Sequence, residues 1–305
     1  MHTHLAMGWL RPLAIDLQAS TPTVDYYLPL TQPLDLEVYS NKNIDDASMF
    51  AMKADLSVLG LTPWGKRATH TAPNLVRDMR GLGIVSSVVL PFDLPIGARN
   101  ADQIIEATQT HPELLPFGSA HPLDRDIDGR LTRQKAAGAI GVKLHPNAQF
   151  IAPDQPRTVH LCGRCAALGL PVLFHCGPVG IEPEAARKRS QVYRYEKAIA
   201  ENPDTTFVLG HSGALQFSEA IEFTKYPNTY FELSCLGLSA LREVVEAVPD
   251  NRLLYGTDWP FYHQALTLAR VLIATDDSPE LRRSILHDNA ARLLAKEPLG
   301  LGVVG

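Results

Sequence analysis

The chain has 305 residues, 45% hydrophobic and 20% charged, a globular composition rather than a disordered or fibrous one. Its 28 basic and 33 acidic residues give a net charge of −5 with no strongly basic block, so nucleic acid is not an expected partner. No apolar run reaches the roughly 18 residues of a membrane span, no secretory leader is visible, and four cysteines do not make a disulfide framework in so long a chain, which points to a reducing cytoplasm.

MHTH opens the chain and puts His2 and His4 two apart, on one side of an extended strand. Residues from about 10 to 70 are rich in Pro, Asp and Asn and carry one helical stretch, DDASMFAMKADLSVLG. They read as an insertion after the first strand that caps the site, because loops of that length are uncommon unless they shape one. From there on, apolar runs alternate with helical patterns. The runs are IVSSVVLPF (84–92), LLPFGSAHP (114–122), AIGVKLHP (139–146), LPVLFHCG (170–177), TTFVLGHSG (205–213), TYFELSC (229–235) and RLLYGTDW (252–259). Between them lie NADQIIEATQT, GRLTRQKAAG, RTVHLCGRCAALG, SQVYRYEKAIAEN, LQFSEAIEFTKY and SALREVVEAV, each closing near Gly, Pro or Asn. Cys162 and Cys165 fall on the third of these helices and read as core, since no second pair completes a zinc site.

Nearly continuous apolar runs suit parallel strands covered on both faces. Seven of them plus the N-terminal strand make eight, the number that closes a (β/α)8 TIM barrel of roughly 250 residues. An open doubly wound sheet would normally carry a Gly-rich phosphate turn, and none is visible. The expected fold is therefore α/β: a single (β/α)8 barrel domain over 1–305, its first strand truncated, with the 10–70 insertion over its mouth.

In such a barrel the C-terminal strand ends converge on one face, where active sites sit. GVKLHP puts Lys143 and His145 on one side of a strand, VLFHCG ends in His175, VLGHSG in His211, and LLYGTDWPF stops a buried strand on Asp258. A buried carboxylate must be paired or bound to a metal. A lone strand-end histidine is more often a hydrogen-bonded structural residue, the class given to His121 and His263, while His70, His111, His160 and His287 read as surface. Several imidazoles and a carboxylate around one cavity instead make a site for Zn²⁺, Mn²⁺ or Fe²⁺, with a coordinated water made nucleophilic near neutral pH.

The order H-x-H, K, H, H, D resembles the amidohydrolase superfamily, specifically the amidohydrolase-related branch with aminocarboxymuconate-semialdehyde decarboxylase-like enzymes. The resemblance covers about residues 80 to 295 and rests on GVKLHP, HSG, GTDWPF and the closing ILHDNAARLL. It implies that His2, His4, His175 and Asp258 hold one divalent metal, Zn²⁺ before Mn²⁺ or Fe²⁺. His211 would act beside it as general acid/base or as an electrostatic clamp. In binuclear members a lysine at the position of Lys143 is carboxylated and bridges two metals. Here Lys143 reads as a contact for a substrate carboxylate, helped by His145, with the second metal as the lesser alternative. Trp259 is placed as a pocket wall, though core packing explains it equally well.

The implied activity is hydrolysis of a small-molecule carbonyl substrate (an amide, lactone or related C–N, C–O or C–C bond), with Asp258 moving the proton. Non-oxidative decarboxylation on the same scaffold is the alternative. A catalytically impaired barrel is the third reading, because only Met1 precedes His2 and chain ends fray unless tied down. Such relatives often form dimers, so the resemblance is compatible with a homodimer.

Overall fold

The computed structural model describes residues 2–9, 13–57 and 62–294. Its strands are β1 (Ser87–Val89), β2 (Leu114–Pro116), β3 (Val142–Leu144), β4 (Val172–His175), β5 (Phe207–Gly210), β6 (Thr229–Glu232) and β7 (Leu253–Leu254). Each lies inside one of the seven apolar runs. All pair in parallel, β1 with β2, and β3 to β7 in chain order.

Three parallel bridges join these two sheets into a ring. Gly118 pairs with Val142, while Thr3 pairs with Val89 on one side and with Trp259, beyond β7, on the other. Thr3 is the centre of the truncated first strand, and the segment is short but pinned. The Thr3 amide donates to the Val88 carbonyl (3.1 Å), and the Thr3 carbonyl accepts from Leu90 (2.9 Å). His4 donates its amide to the Trp259 carbonyl (2.7 Å), and the His2 carbonyl accepts from the Asp258 amide (2.8 Å). The fraying expected of this position is countered by bonds to both neighbours.

The two-residue period of a strand then sorts the side chains. Val142, Leu144, Val172, Phe174, Phe207, Leu209, Phe231 and Leu253 point outward into the large cluster shared with the helices. Leu173, Val208 and Leu254 alternate with them and meet Val88, Leu115 and Phe117 in a second cluster. Full burial of a Leu or Phe side chain stabilises by about 1.5–3 kcal/mol, so a one-residue slip in any strand would forfeit several such terms. The same alternation carries Lys143, His175 and Glu232 to the side opposite the helix-facing residues. That placement matters most for function.

Helices Asn100–Thr108, Ile127–Ala136, Pro156–Ala167 and Leu238–Ala247 stand where periodicity places them. SQVYRYEKAIAEN is divided between a 3-10 turn, Val192–Arg194, and a helix, Tyr195–Glu201. LQFSEAIEFTKY holds the short helix Phe217–Ile221 between 3-10 segments. Two ten-residue helices fall outside the expected set, Ala72–Gly81 and Ala265–Ala274, as do the shorter Pro146–Gln149, Glu184–Arg189 and Pro279–Arg283. The first buries Leu75, Val76 and Met79 at helical spacing and lies between the insertion and the first apolar run. The second, ALTLARVLIA, is apolar on most sides and gives little periodic contrast.

Within the insertion, helix Asp46–Asp55 starts at Asp45, whose carboxylate accepts from the Ser48 amide. Such a cap is worth about 1 kcal/mol. The last residues of DDASMFAMKADLSVLG, from 58 on, lie outside the described residues. Arg270, fully buried on helix Ala265–Ala274, ties the insertion down by donating to the Leu36 and Val38 carbonyls and to Ser40 Oγ. Among the described residues no helix is long and apolar enough to cross a membrane.

His70 corrects its surface reading. It is 2% exposed, and its Nε2 bonds to the Asp25 carbonyl at 3.0 Å. Burial drives its pKa down to about 3. The unfolded chain therefore binds a proton near pH 6.5 that the folded chain refuses, and stability falls as pH drops from about 6.5 towards 3. Between pH 7 and 5 this one group removes about 2 kcal/mol. Urea melts of wild type and His70→Asn at the two pH values check this: the variant is expected to lose about 2 kcal/mol less over the interval.

Candidate metal centre

His2, His4 and Asp258 come together where the first segment meets the chain leaving β7. His2 Nε2 lies 3.1 Å from His4 Nε2 and 3.5 Å from Asp258 Oδ1, and His4 Nε2 lies 3.3 Å from the same oxygen. The ring of His211 stacks on that of His2 at 4.7 Å, and His2, His211 and Asp258 each offer a ligand atom within 4.8 Å of the others.

The outer hydrogen bonds of these rings decide what their inner atoms carry. His4 Nδ1 faces the Leu90 carbonyl at 2.7 Å, so it must hold the proton and leave Nε2 a bare lone pair. His2 Nδ1 donates to Glu232 Oε2 at 2.9 Å, with the same result. Ser234 Oγ gives its proton to Glu232 Oε2 (2.8 Å) and accepts from His211 Nδ1 (2.7 Å), which leaves His211 Nε2 unprotonated too. Three imidazole lone pairs and a carboxylate oxygen thus converge with no proton of their own between them, and the Lys143 Nζ stands 3.3 Å from His2 Nε2. Lone pairs so arranged repel unless positive charge stands among them, a need the buried Lys143 meets in part and a metal ion would meet more fully.

The spacing fits one. A tetrahedral ion with bonds of about 2.0–2.1 Å needs ligand atoms about 3.3–3.4 Å apart, close to the 3.1, 3.3 and 3.5 Å edges of the His2–His4–Asp258 triangle. His175 adds a buried Nε2 with no hydrogen-bond partner. Its ring lies 5.0 Å from that of His211 and stacks on His145 at 4.2 Å. The donor set therefore suits a divalent cation of the zinc type.

Electrostatics agree with neutral imidazoles. Burial, then the charge of Lys143 and the neighbouring rings, pushes His2 well below the usual range. Burial also lowers His145, His175 and His211. For Asp258 burial works upward, but its surroundings, His4, His211 and Lys143, together outweigh it and hold the carboxyl below its ordinary value, so it stands ionised. Lys143 is fully buried, with Nζ 3.3 Å from His2 Nε2, and burial brings it down to about 8.

Local backbone geometry serves the site. His211 and Asp258 hold φ of 60° and 57°, the left-handed region that costs a non-glycine residue energy and tends to occur at functional positions. Gly210, just before His211, has no side chain for a reason. A Cβ there would stand 2.7 Å from the Phe174 carbonyl and 3.3 Å from His2 Cε1.

His4, His145, His175, His211 and Asp258 line one cavity of about 500 Å³, walled by Trp9, Tyr39, Met52, Phe92, Phe261 and Tyr262 among others. Tyr39 and Met52 come from the insertion. Trp259 is not among the lining residues. It is fully buried in a core cluster with Leu5, Leu75 and Met79, and its Nε1 donates to Asp78 Oδ2 at 2.9 Å. Of its two sequence readings, packing is the one this placement supports. Lys143 likewise lies beneath the histidines rather than on the cavity wall.

Glu232 escaped the sequence reading. One carboxylate orients His2, accepts the His211 amide at 3.0 Å and takes two bonds from Ser234. Its signal was present in TYFELSC, an acidic residue in an otherwise buried strand.

The family model described as Amidohydrolase matches residues 78–296. The chain belongs to the amidohydrolase family. No curated protein sequence matches this amidohydrolase. Among solved structures it is similar to an uncharacterized TIM-barrel protein from Bordetella bronchiseptica, with TM-score 0.64 and 21% identity over 74% of this chain and 83% of that one. It also resembles 2,6-dihydroxybenzoate decarboxylase from Rhizobium, with TM-score 0.58 and 19% identity over 72% and 87% of the two chains. A probable 2-pyrone-4,6-dicarboxylic acid hydrolase from Acinetobacter baumannii gives 0.56 and 14% over 74% and 89%. At these identities the likeness establishes the fold, a TIM barrel.

Glu232→Gln keeps the volume and removes the charge that fixes two imidazoles. Loss of such an orienting partner typically costs 10–100-fold in metal affinity. Zinc competition against a chromophoric chelator is expected to show a drop of about that size, with the melting transition still cooperative.

Proposed function

We propose that this amidohydrolase is a metal-dependent hydrolase of a small carbonyl compound, working at the barrel mouth, with zinc as the first candidate metal. The observation that carries the reading is the approach of His2 Nε2 and His4 Nε2 to Asp258 Oδ1, at 3.5 and 3.3 Å, with His2, His211 and Asp258 each offering a ligand atom within 4.8 Å of the others. His2, His4, His175 and Asp258 are the proposed ligands. When bound, a divalent cation there supplies Lewis acidity and lowers the pKa of a coordinated water.

The chain's own groups would do the rest. Asp258 accepts a proton at its carboxylate and delivers it to the leaving group. His211 Nε2, bare and held by Ser234, stands beside Asp258 as a second proton acceptor, and Glu232 keeps His2 and His211 in the required tautomer. The apolar wall of Trp9, Phe92, Phe261 and Tyr262 limits bulk water around the reacting atoms, which strengthens each electrostatic contact. We read residues 1–305 as one catalytic unit, capped by the insertion and acting in a reducing compartment, a view supported by four free, buried cysteines.

Decarboxylation is the second reading. A cavity walled mainly by apolar side chains favours a reaction that needs no water, and a decarboxylase is among the structural relatives. In that case His211 or Asp258, neither of which holds a proton at rest, would first take one up from solvent or from an acidic group of the substrate and pass it to the carbon that loses its carboxylate.

Three measurements test these readings. Metal analysis of protein purified without chelators is expected to give about one equivalent of zinc or a similar ion. Once a substrate is found, Asp258→Asn and His211→Asn are each expected to lower turnover by about 10²–10⁴-fold. Unchanged turnover in both would end the enzyme assignment. Incorporation of ¹⁸O from labelled water supports hydrolysis, whereas release of CO₂ without it supports the second reading.

A further inference from the structure

Cys235 lies just beyond β6, 1% exposed, with its sulfur against the proposed metal centre. Sγ stands 3.5 Å from Asp258 Oδ2 and is, among the described residues, the one side-chain donor to that oxygen. Oδ1 of the same carboxylate faces His2 and His4 at 3.5 and 3.3 Å. The two oxygens of Asp258 are thus divided between two environments, imidazole lone pairs on one side and a thiol on the other. A thiolate here would set two buried anions side by side, so the sulfur carries its proton and donates it.

The backbone around Cys235 fixes the direction of that contact. Its φ is 67°, a left-handed conformation that costs a non-glycine residue energy and tends to occur at functional positions. Its carbonyl accepts from the Ser40 amide at 2.9 Å and from Ser40 Oγ at 3.2 Å. Ser40 is in turn held by Arg270 Nη1 at 2.7 Å. One residue earlier, Ser234 belongs with Glu232 to the hydrogen-bonded set that orients His2 and His211. Cys235 is therefore gripped by the insertion through its carbonyl and reaches Asp258 through its side chain. Packing alone would require neither the left-handed turn nor a donor aimed at a carboxylate, since a small apolar side chain fills the same space.

We propose that Cys235 is the positioning residue of Asp258: its thiol holds Oδ2, so that Oδ1 alone is turned towards the imidazoles that would share a cation with it. The inference rests on the functional reading above and deepens it by giving each oxygen of one carboxylate a separate task. An ionised carboxylate oxygen has two lone pairs. The thiol takes one of those on Oδ2, and the other stays open for the proton that Asp258 is proposed to accept. A thiol is a weak donor, strong enough to set the rotation of the carboxylate and weak enough to leave that oxygen basic. Hydrogen-bonded partners of this kind orient metal ligands in general, and their loss costs about 10–100-fold in metal affinity. The latch also joins the insertion to the reactive carboxylate through a single residue.

Two spectroscopic measurements on the full chain test this. In the metal-free protein, subtracting the infrared spectrum of Cys235→Ala from that of wild type isolates the S–H stretch of Cys235. That band is expected to move to higher frequency in Asp258→Asn, which weakens the acceptor. The difference between wild type and Asp258→Asn gives the same reading should Cys235→Ala fail to fold. An absent S–H band, or one that Asp258→Asn leaves in place, overturns the proposal. With cobalt(II) as the probe, wild type is expected to show no sulfur-to-cobalt charge-transfer band. Cys235→Ala is expected to bind cobalt about tenfold more weakly and to lose visible absorption, the mark of a carboxylate turned to bind through both oxygens. Cys235→Ser, which keeps a donor, is expected to restore both. A charge-transfer band that disappears in Cys235→Ala makes the sulfur a ligand and overturns the proposal, as does a visible spectrum identical in wild type and Cys235→Ala. Should cobalt not bind wild type, the metal reading fails, and the infrared band alone decides whether Cys235 holds Asp258.

Discussion

Proton bookkeeping on a handful of buried nitrogens constrains this molecule. A carbonyl can only accept, so the Leu90 carbonyl fixes the proton of His4 on Nδ1, and the Glu232 carboxylate fixes that of His2 in the same place. Ser234 passes the effect on to His211. With every outward nitrogen protonated, every inward one is bare. No rearrangement of tautomers relieves the crowding without breaking one of those outer bonds. The strands exist, in functional terms, to hold that arrangement in place. Strand alternation sends Val142, Leu144 and Phe174 to the helices and leaves Lys143 and His175 on the other side.

Much of this was legible in the chain. Seven continuous apolar runs each contain a strand, because parallel strands buried on both faces demand such runs. The five polar positions at their ends could be read because a charged or imidazole group at the tip of an apolar run is costly unless employed. Element boundaries were less legible where the backbone departs from regular geometry. The residues after β5 hold φ values of 60°, 47°, 91° and 54° at His211, Ser212, Gly213 and Ala214. The expected strand run TTFVLGHSG accordingly ends at Gly210, and the chain turns through His211–Ala214 before the short helix Phe217–Ile221. Ala265–Ala274 was missed because uniform apolarity hides a helical period.

The parts of the site that the chain did not disclose depend on long-range partners. Glu232 contacts His2 across 230 positions of sequence, so its role cannot be seen from FELS alone. Trp259 sits beside Asp258 in the chain, yet the left-handed turn at Asp258 sends its indole into the core towards Asp78. Adjacency in sequence was a poor guide there. His70 was misjudged for a related reason: nothing local to it announces that Tyr27 and Trp259 will cover it.

The first segment pairs through Thr3, and two of the proposed ligands flank that bridging residue. Its neighbours in the ring are β1 and the segment that carries Asp258. An ion gripped by His2, His4 and Asp258 would therefore span the seam at which the beginning and end of the barrel are sewn together. The centre would act as a rivet for the scaffold as well as its reactive point, so cofactor loss would be felt first as a loosening of that joint.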